Sequence, residues 1–277
     1  MIRLGIRVAK SDADLVLAEL LELVPQGVDE RELGPDTIEY GVYGAEGELP
    51  ELHALQAAAG AALVEVVTEQ VADDWADRWR AFHVPVEIAG RMLVRPPWSP
   101  PPEDPAIIDL VIDPAQAFGT GAHPTTKLCL ELLLDLEPAG PFMDLGCGSG
   151  VLAIAAARLG WTPVVGVDFD PLSVTATVEN AEVNGTEVSA RRFDLLRDGP
   201  APTAPTVAAN LLRPLLLAVA RAGFDGPAPE HIVASGLLRA EADEVSAALA
   251  ARTGLRERAR LEEGDWAALL LAQPGVA

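Results

Sequence analysis

The sequence has few of the residues on which several classes of protein depend. Its 277 residues include only two cysteines, Cys129 and Cys147, too few for a disulfide framework or a cysteine zinc cluster. The four histidines are not at metal-ligand spacing, so no metal site is expected. No apolar run approaches the roughly 18 residues of a membrane span, and the charged, alternating N-terminus is unlike a signal peptide. A reducing cytoplasm is therefore the expected location, with no membrane partner.

Positive charge is also scarce. The chain has 20 Lys and Arg against 42 Asp and Glu, a formal net charge of −22. Because phosphate contacts dominate nucleic-acid affinity, no direct nucleic-acid binding is expected. An acidic surface can steer a cationic substrate toward a cleft, although the same charge also serves solubility, and composition leaves both explanations open.

The first 70 residues predict a small α+β domain. Its expected strands cover 2–9, 27–33, 37–43 and 62–67. One expected helix is capped by Ser11 or Asp12 and runs to Pro25, and the other covers 51–59. A β-α-β-β-α-β order is the ferredoxin-like pattern. Because no catalytic constellation occurs in residues 1–70, we interpret this domain as a recognition or packing module.

A segment with two tryptophans is predicted to connect this domain to the rest of the chain. Trp75 and Trp79 are four residues apart, which places them on one face of a short helix. Packing between domains is the favoured role, and substrate contact is the alternative. The linker helix is assigned to 71–84, and 85–277 to the second domain.

Strands and helices alternate through the second domain. This pattern predicts an α/β fold with a doubly wound, Rossmann-like sheet. The last two expected strands join at Glu262–Asp265 and can supply an antiparallel edge.

A glycine-rich turn lies between an apolar strand and a helix. The strand ends at Asp144, and Gly146, Gly148 and Gly150 follow at alternate positions. A dinucleotide fingerprint requires Gly-x-Gly-x-x-Gly, but Val151 occupies its third glycine position. The Asp-x-Gly-x-Gly-x-Gly order instead resembles the S-adenosylmethionine loop of class I methyltransferases. An NAD-dependent dehydrogenase is the weaker alternative.

Polar residues follow the next strands of the predicted sheet. Asp168 is placed to accept hydrogen bonds from ribose hydroxyls, and Asp194 either meets the adenine edge or caps its strand. Asn210 ends the fourth strand, where ligands of open α/β sheets bind. Amino-group methyltransferases place a side-chain amide there to hold the attacking nitrogen. The sequence Asn-Leu-Leu, in place of Asn-Pro-Pro-Tyr, argues against a flat conjugated nitrogen as acceptor.

A glycine- and threonine-rich stretch precedes the glycine turn. Its composition favours a loop that folds over a bound cofactor, followed by a helix opening at Pro124. A threonine here could alternatively serve as the helix N-cap. We interpret His123 as structural.

Six motifs together resemble the ribosomal protein L-eleven methyltransferase family, which modifies large-subunit protein eleven. They are Phe118–Thr126, Asp144–Ala156, Gly166–Pro171, Asn180–Gly185, Ala209–Leu212 and Ser235–Leu238. The resemblance covers roughly residue 70 to the end of the chain. Residues 1–70 match the family in predicted topology and position.

The resemblance implies a class I methyltransferase that transfers methyl groups from S-adenosylmethionine to lysine ε-amines and the N-terminal α-amine of ribosomal protein eleven. It also implies an N-terminal recognition domain that swings on a linker helix. The expected cofactor-binding residues are Phe118, Thr126, Asp144, Gly146, Gly148, Asp168, Asp194 and Asn210. Asn210 is also the expected catalytic residue.

Two other functions stay open at this point. The same fold can methylate another protein or a small-molecule amine. A non-catalytic cofactor-binding or ribosome-assembly module is the alternative from a different class.

Overall fold

The computed structural model divides the chain into two compact units, Met1–Phe82 and His83–Ala277. The described residues are 2–13, 16, 20, 29–34, 36–44, 60–70, 83–114 and 123–273. The predicted linker helix, 71–84, lies outside them except for residues 83 and 84, which are not helical.

The first unit contains a four-stranded antiparallel sheet in the order β2-β3-β1-β4. The strands are β1 (Ile2–Ala9), β2 (Asp29–Glu32), β3 (Thr37–Gly44) and β4 (Leu63–Gln70). The two central strands of this sheet are β1 and β3, the same two strands that lie at the centre of a ferredoxin-like sheet. The predicted helices lie largely outside the described residues. Strand β4 extends beyond its predicted end at residue 67, because pairing with β1 satisfies its backbone despite the polar residues there.

A buried ion cluster occupies one face of this sheet. Arg3 Nη2 lies 2.8 Å from Glu39 Oε1, and Arg7 Nε lies 2.9 Å from Glu39 Oε2. Gly41 leaves room for the cluster, since a Cβ there would lie 2.7 Å from Arg3 Nη2. Burial alone would raise the pKa of Glu39, but the hydrogen bonds from Arg7 and Arg3 outweigh it and hold that pKa below its ordinary value.

Replacing Glu39 by Gln should destabilise the first unit. The change keeps the size of the side chain but leaves Arg3 buried without its nearest anion, at a cost of about 2–4 kcal/mol in the free energy of unfolding. Urea unfolding of the variant and of the wild type, monitored by hydrogen exchange of the β1 and β3 amides, would measure this loss of stability. Because the pKa of Glu39 is lowered, this stabilisation is present at neutral pH and is lost as pH falls through that lowered pKa.

Glu65 is the matched control, because it also pairs with Arg7 but its side chain is 55% exposed. Its replacement by Gln should cost less than about 1 kcal/mol. Equal effects of the two substitutions would contradict the importance of the buried cluster.

The second unit begins with a small three-stranded sheet. Its strands are β5 (Val86–Ile88), β6 (Met92–Arg95) and β7 (Ile108–Val111). Strand β5 is antiparallel to β6, and β6 is parallel to β7. These three strands form a sheet of their own.

Seven of the remaining strands form one sheet in the order β10-β9-β8-β12-β14-β16-β15. In chain order, they and two short strands outside that sheet are α1 (Pro124–Leu134), β8 (Phe142–Leu145), α2 (Val151–Leu159), β9 (Val164–Asp168), α3 (Pro171–Val183), β10 (Val188–Arg192), β11 (Ala201–Pro202), β12 (Thr206–Asn210), α4 (Arg213–Ala222), β13 (Phe224–Asp225), β14 (His231–Leu238), α5 (Ala242–Thr253), β15 (Arg256–Glu263) and β16 (Trp266–Ala272).

Five strands of this sheet are parallel, and β16 is antiparallel to both of its neighbours. The predicted doubly wound sheet with an antiparallel edge is therefore confirmed. From β8 the chain runs outward to β9 and β10, and then returns to β12 on the other side. The carboxyl ends of β8 and β12 thus flank a topological switch point, where open α/β sheets bind ligands.

Helices cover both faces of the sheet, so its central strands are buried on two sides. Phe142 and Ala208 pack in the core that includes α1 and α2, whereas Met143 and Val207 pack in the core that includes α4 and α5. Burial on both faces explains why β8 is a continuous apolar run interrupted only by Asp144. A carboxylate in such a strand needs a functional reason.

Candidate active site

A cleft of about 640 Å³ opens at the carboxyl ends of β8, β9, β10 and β12. Seven of the eight predicted site residues line it: Thr126, Asp144, Gly146, Gly148, Asp168, Asp194 and Asn210. The eighth, Phe118, lies outside the described residues. Residues that are far apart in sequence therefore meet at the switch point of the sheet.

The glycine turn brings bare backbone to the floor of this cleft. Gly146 has φ +76°, and a Cβ there would lie 2.4 Å from Leu211 Cδ2. Its amide donates to Val167 O at 2.8 Å, which ties the turn to β9. Only glycine permits both this conformation and this close approach.

Asp168 is held in a fixed orientation by two backbone amides. Its Oδ2 accepts from Gly148 N at 3.0 Å, and its Oδ1 accepts from Asp170 N at 3.0 Å. Each carboxylate oxygen has a second lone pair. The carboxylate can therefore accept two further hydrogen bonds from a ligand in the cleft, as adjacent hydroxyls would provide.

Asp144 is a buried carboxylate with one unpartnered oxygen. Its Oδ2 accepts from Ala153 N at 3.2 Å, whereas Oδ1 has no hydrogen-bond partner among the described residues. Burial raises the pKa of Asp144 to about 7, and the charge of Asp168 adds to this effect. An unsatisfied buried acceptor beside a cleft suits a ligand that donates hydrogen bonds and carries positive charge.

Asn210 and Thr126 are joined across the cleft wall. Asn210 Nδ2 donates to Thr126 Oγ1 at 3.2 Å, and Thr126 is fully buried. The threonine N-cap alternative is wrong, because His123 caps α1 and accepts from Thr125 N. His123 also packs against Trp266, with ring centroids 4.8 Å apart, in agreement with the structural role predicted for it.

The backbone after Asn210 is seated on β14. Leu211 N donates to Ser235 O at 2.9 Å. Gly236 has φ +83°, and a Cβ there would lie 2.5 Å from Leu211 O. In the sequence, Ser235 and Gly236 stood out only as part of a motif that resembles the family. Their contact with Leu211 is a feature of the site that this motif did not predict.

The family described as ribosomal protein L11 methyltransferase (PrmA) matches residues 31–274. The chain belongs to this family. L11 is protein eleven of the large subunit, so the resemblance seen in the sequence is confirmed.

Proteins named ribosomal protein L11 methyltransferase show the same relationship over most of their length. The one from Heliobacterium modesticaldum is 39% identical over 216 residues, which cover 76% of this chain and 67% of that protein. The one from Pectobacterium carotovorum subsp. carotovorum is 36% identical over 241 residues, covering 84% and 81%. The crystal structure of ribosomal protein L11 methylase from Lactobacillus delbrueckii subsp. bulgaricus superposes with a TM-score of 0.60 at 26% identity, covering 69% of this chain and 99% of that one.

The described residues fit the cofactor of this methyltransferase family, S-adenosylmethionine. The unpartnered oxygen of Asp144 suits its ammonium group, and the Asp168 carboxylate suits its ribose hydroxyls. Gly146 lines the same cleft and presents only backbone to it. The cleft volume also lies in the usual range of roughly 300–1,000 Å³ for small-molecule sites.

Asp194 lies in the cleft and also stabilises the turn after β10. Its Oδ1 accepts from Leu196 N at 2.9 Å, and its Oδ2 lies 3.6 Å from Arg197 Nε. The strand-end cap that the sequence allowed is therefore present. Contact with adenine stays a prediction for the same side chain.

Apolar residues at the mouth of the cleft were missed by the sequence analysis. Phe169, Phe193 and Leu196 line the cleft beside Asp168, which ends β9, and Asp194, which follows β10. Phe169 and Leu196 are each 67% exposed, unusual for large apolar side chains. Flat and aliphatic groups here suit the faces of an adenine ring. A phenylalanine adjacent to each of these two aspartates was the available sequence signal.

Neither thiol is suited to act as a nucleophile. Burial raises the pKa of Cys147 to about 12, with the charge of Asp144 adding to the effect, and burial likewise raises the pKa of Cys129. Among the residues that the structure describes, no cluster of three or more His, Cys, Asp or Glu side chains could hold a metal ion. Across the same described ranges, no helix is long and apolar enough to cross a membrane.

Cofactor affinity should increase as pH rises through 7. Asp144 has a pKa of about 7 in the free protein, and the positively charged cofactor favours its ionised form. Below that pH a proton must be displaced, which weakens binding by up to about tenfold per pH unit. Calorimetric titrations with S-adenosylmethionine from pH 6 to pH 8, in buffers of different ionisation enthalpy, would measure both the affinity and the released proton.

The matched control for this titration is Asp144→Asn. It should bind the cofactor more weakly at pH 8 and show little change in affinity with pH. A wild-type slope in this variant would assign the pH dependence to another group.

Proposed function

We propose that this protein transfers methyl groups from S-adenosylmethionine to amines of ribosomal protein L11. The acceptors are lysine ε-amines and the N-terminal α-amine. The observation that carries the proposal is the pairing of Asn210 with Thr126 at the end of β12, inside the cleft of a chain that belongs to the L11 methyltransferase family.

The reaction needs a neutral amine in a dry site. The cofactor supplies a methyl group on positively charged sulfur, which the lone pair of an amine nitrogen attacks. A lysine amine has an ordinary pKa of about 10.4, so the protein must favour its deprotonated form. Leu211 and Leu215 line the cleft near Asn210, and the desolvation that they impose lowers the pKa of a bound amine. We propose that the proton leaves to water before methyl transfer.

Asn210 orients the acceptor in this proposal. Its Nδ2 is engaged with Thr126 Oγ1, which leaves Oδ1 as the free side of the amide. An amide oxygen can accept a hydrogen bond from an amine N–H and so direct the nitrogen lone pair. Catalysis would then consist mainly of positioning.

The first unit is proposed as the recognition domain for L11. It has its own sheet and its own apolar core around Ile6 and Tyr40. The proposed domain limits are 1–70 for recognition, 71–84 for the linker helix and 85–277 for methyl transfer. An acidic chain suits a substrate that offers lysines, and it disfavours direct nucleic-acid binding. A ribosomal-protein substrate also fits the cytoplasmic location expected from the sequence.

Asn210→Ala should reduce kcat about 100-fold while S-adenosylmethionine binding is largely retained, because the acceptor loses its orientation. Thr126→Val keeps the shape of the side chain but removes the acceptor of the Asn210 bond, so kcat should fall about tenfold. Single-turnover kinetics with calorimetric cofactor binding would measure both effects. Thr125→Val is the matched control, since the hydroxyl of Thr125 contacts His123 and not Asn210. Wild-type rates in Asn210→Ala would remove Asn210 from the mechanism.

Incubation with L11 and methyl-labelled S-adenosylmethionine should place label on lysine ε-amines and on the N-terminal α-amine, as peptide mass mapping would show. L11 with acetylated amines and the Asn210→Ala variant should both give little or no label. Labelling of another protein or a small amine in place of L11 would favour the broader methyltransferase function. Cofactor binding with no transfer to any acceptor would favour a non-catalytic module.

A further inference from the structure

Helix α3 carries polar side chains on the face that it buries. Thr177 and Asn180, together with Asn184 directly after the last residue of the helix, are at most 8% exposed. Their spacing of three and four residues places them along one side of the helix. Buried polar side chains need hydrogen-bond partners, and those partners that lie outside the helix show what this face contacts.

Two of these side chains hold consecutive carbonyls of the glycine turn. Thr177 Oγ1 donates to Gly148 O at 3.0 Å, and Asn180 Nδ2 donates to Ser149 O at 2.9 Å. Asn180 Oδ1 also accepts from Asp113 N at 3.0 Å, so the same amide joins the turn to the segment that follows β7.

Gly148 is thereby held on both of its backbone polar groups. Its carbonyl is bound by Thr177, and its amide is bound by Asp168 Oδ2 at 3.0 Å. A shift of the Gly148 carbonyl away from α3 would also move the amide that orients the Asp168 carboxylate. The position of Asp168 in the cleft therefore depends on a threonine that does not line the cleft.

We propose that Thr177 and Asn180 are positioning residues for cofactor binding. From α3 they hold the carbonyls of Gly148 and Ser149, which keeps the glycine turn in place and its Gly148 amide on Asp168. The inference rests on the proposed S-adenosylmethionine-dependent function and assigns cofactor affinity to residues that do not touch the cofactor.

Asn184 provides the internal comparison. Its side chain makes buried hydrogen bonds of the same kind, with Val111 N at 2.8 Å, Val111 O at 2.7 Å and Asn180 O at 2.7 Å. None of these partners belongs to the glycine turn. Loss of Asn184 should thus reduce stability without a matching effect on the cofactor.

The test measures S-adenosylmethionine affinity in the full-length chain by calorimetry, beside the melting temperature. Thr177→Val, which keeps the shape of the side chain, should raise Kd about three- to tenfold, the effect of one buried hydrogen bond. Asn180→Asp keeps the acceptor for Asp113 N but loses the donor to Ser149 O, and it should raise Kd at least as much. Thr177→Ser, which retains the hydroxyl, should bind nearly as wild type does.

In turnover assays, Thr177→Val and Asn180→Asp should each raise KM for S-adenosylmethionine, while kcat at saturating cofactor stays close to wild type. Asn184→Ala should lower the melting temperature and leave Kd within about twofold of wild type. Wild-type Kd values in both Thr177→Val and Asn180→Asp would overturn the inference, as would an equal loss of affinity in Asn184→Ala. Failure of the wild-type protein to bind S-adenosylmethionine would overturn the proposed function and this inference together.

Discussion

The active-site cleft depends on the close packing of Leu211 between two glycines. A Cβ at Gly146 would lie 2.4 Å from the Leu211 side chain, and a Cβ at Gly236 would lie 2.5 Å from its carbonyl oxygen. This contact joins the carboxyl ends of β8, β12 and β14. It sets the position of Asn210, whose peptide bond leads directly into Leu211, relative to the glycine turn. Both glycines have positive φ, and a side chain at Gly236 would meet the backbone of Leu211, so we expect substitution at Gly236 to shift Asn210 relative to the glycine turn.

The cleft is lined by four aspartates and one arginine, and this excess of negative charge suits a cationic ligand. Asp144 is fully buried with a raised pKa, so ionising it in the free protein is unfavourable, and its stabilising contribution is lost as pH rises from the ordinary carboxyl range toward 7. A bound ammonium group would reverse this penalty, because it supplies the partner that Oδ1 lacks. We therefore expect cofactor binding and the ionisation of Asp144 to be coupled.

The sequence predicted those parts of the site that are written in short, local patterns. The glycine turn and Asp168 follow buried strands directly, and the structure places both in the cleft. The bond from Asn210 to Thr126 spans 84 residues, so no local pattern could predict it. Strand β14 reaches Leu238 because β16 pairs with it on both sides of the bulge between Ala234 and Leu237. Long-range pairing, which single-sequence patterns do not contain, decided these features.

Helix α3 shows most directly why such patterns are incomplete. An amphipathic reading expects apolar residues on the inward face of a helix. Part of the surface that α3 covers is the glycine turn, which offers carbonyl oxygens, so Thr177 and Asn180 face the turn in place of leucine or valine. Thr177 and Asn180 interrupt the apolar periodicity of the helix, and the same two residues supply the donors that the carbonyls of the glycine turn require. A bare glycine turn suited to a cofactor requires a polar support behind it, because buried carbonyls need donors. The support and the turn are therefore two parts of one site.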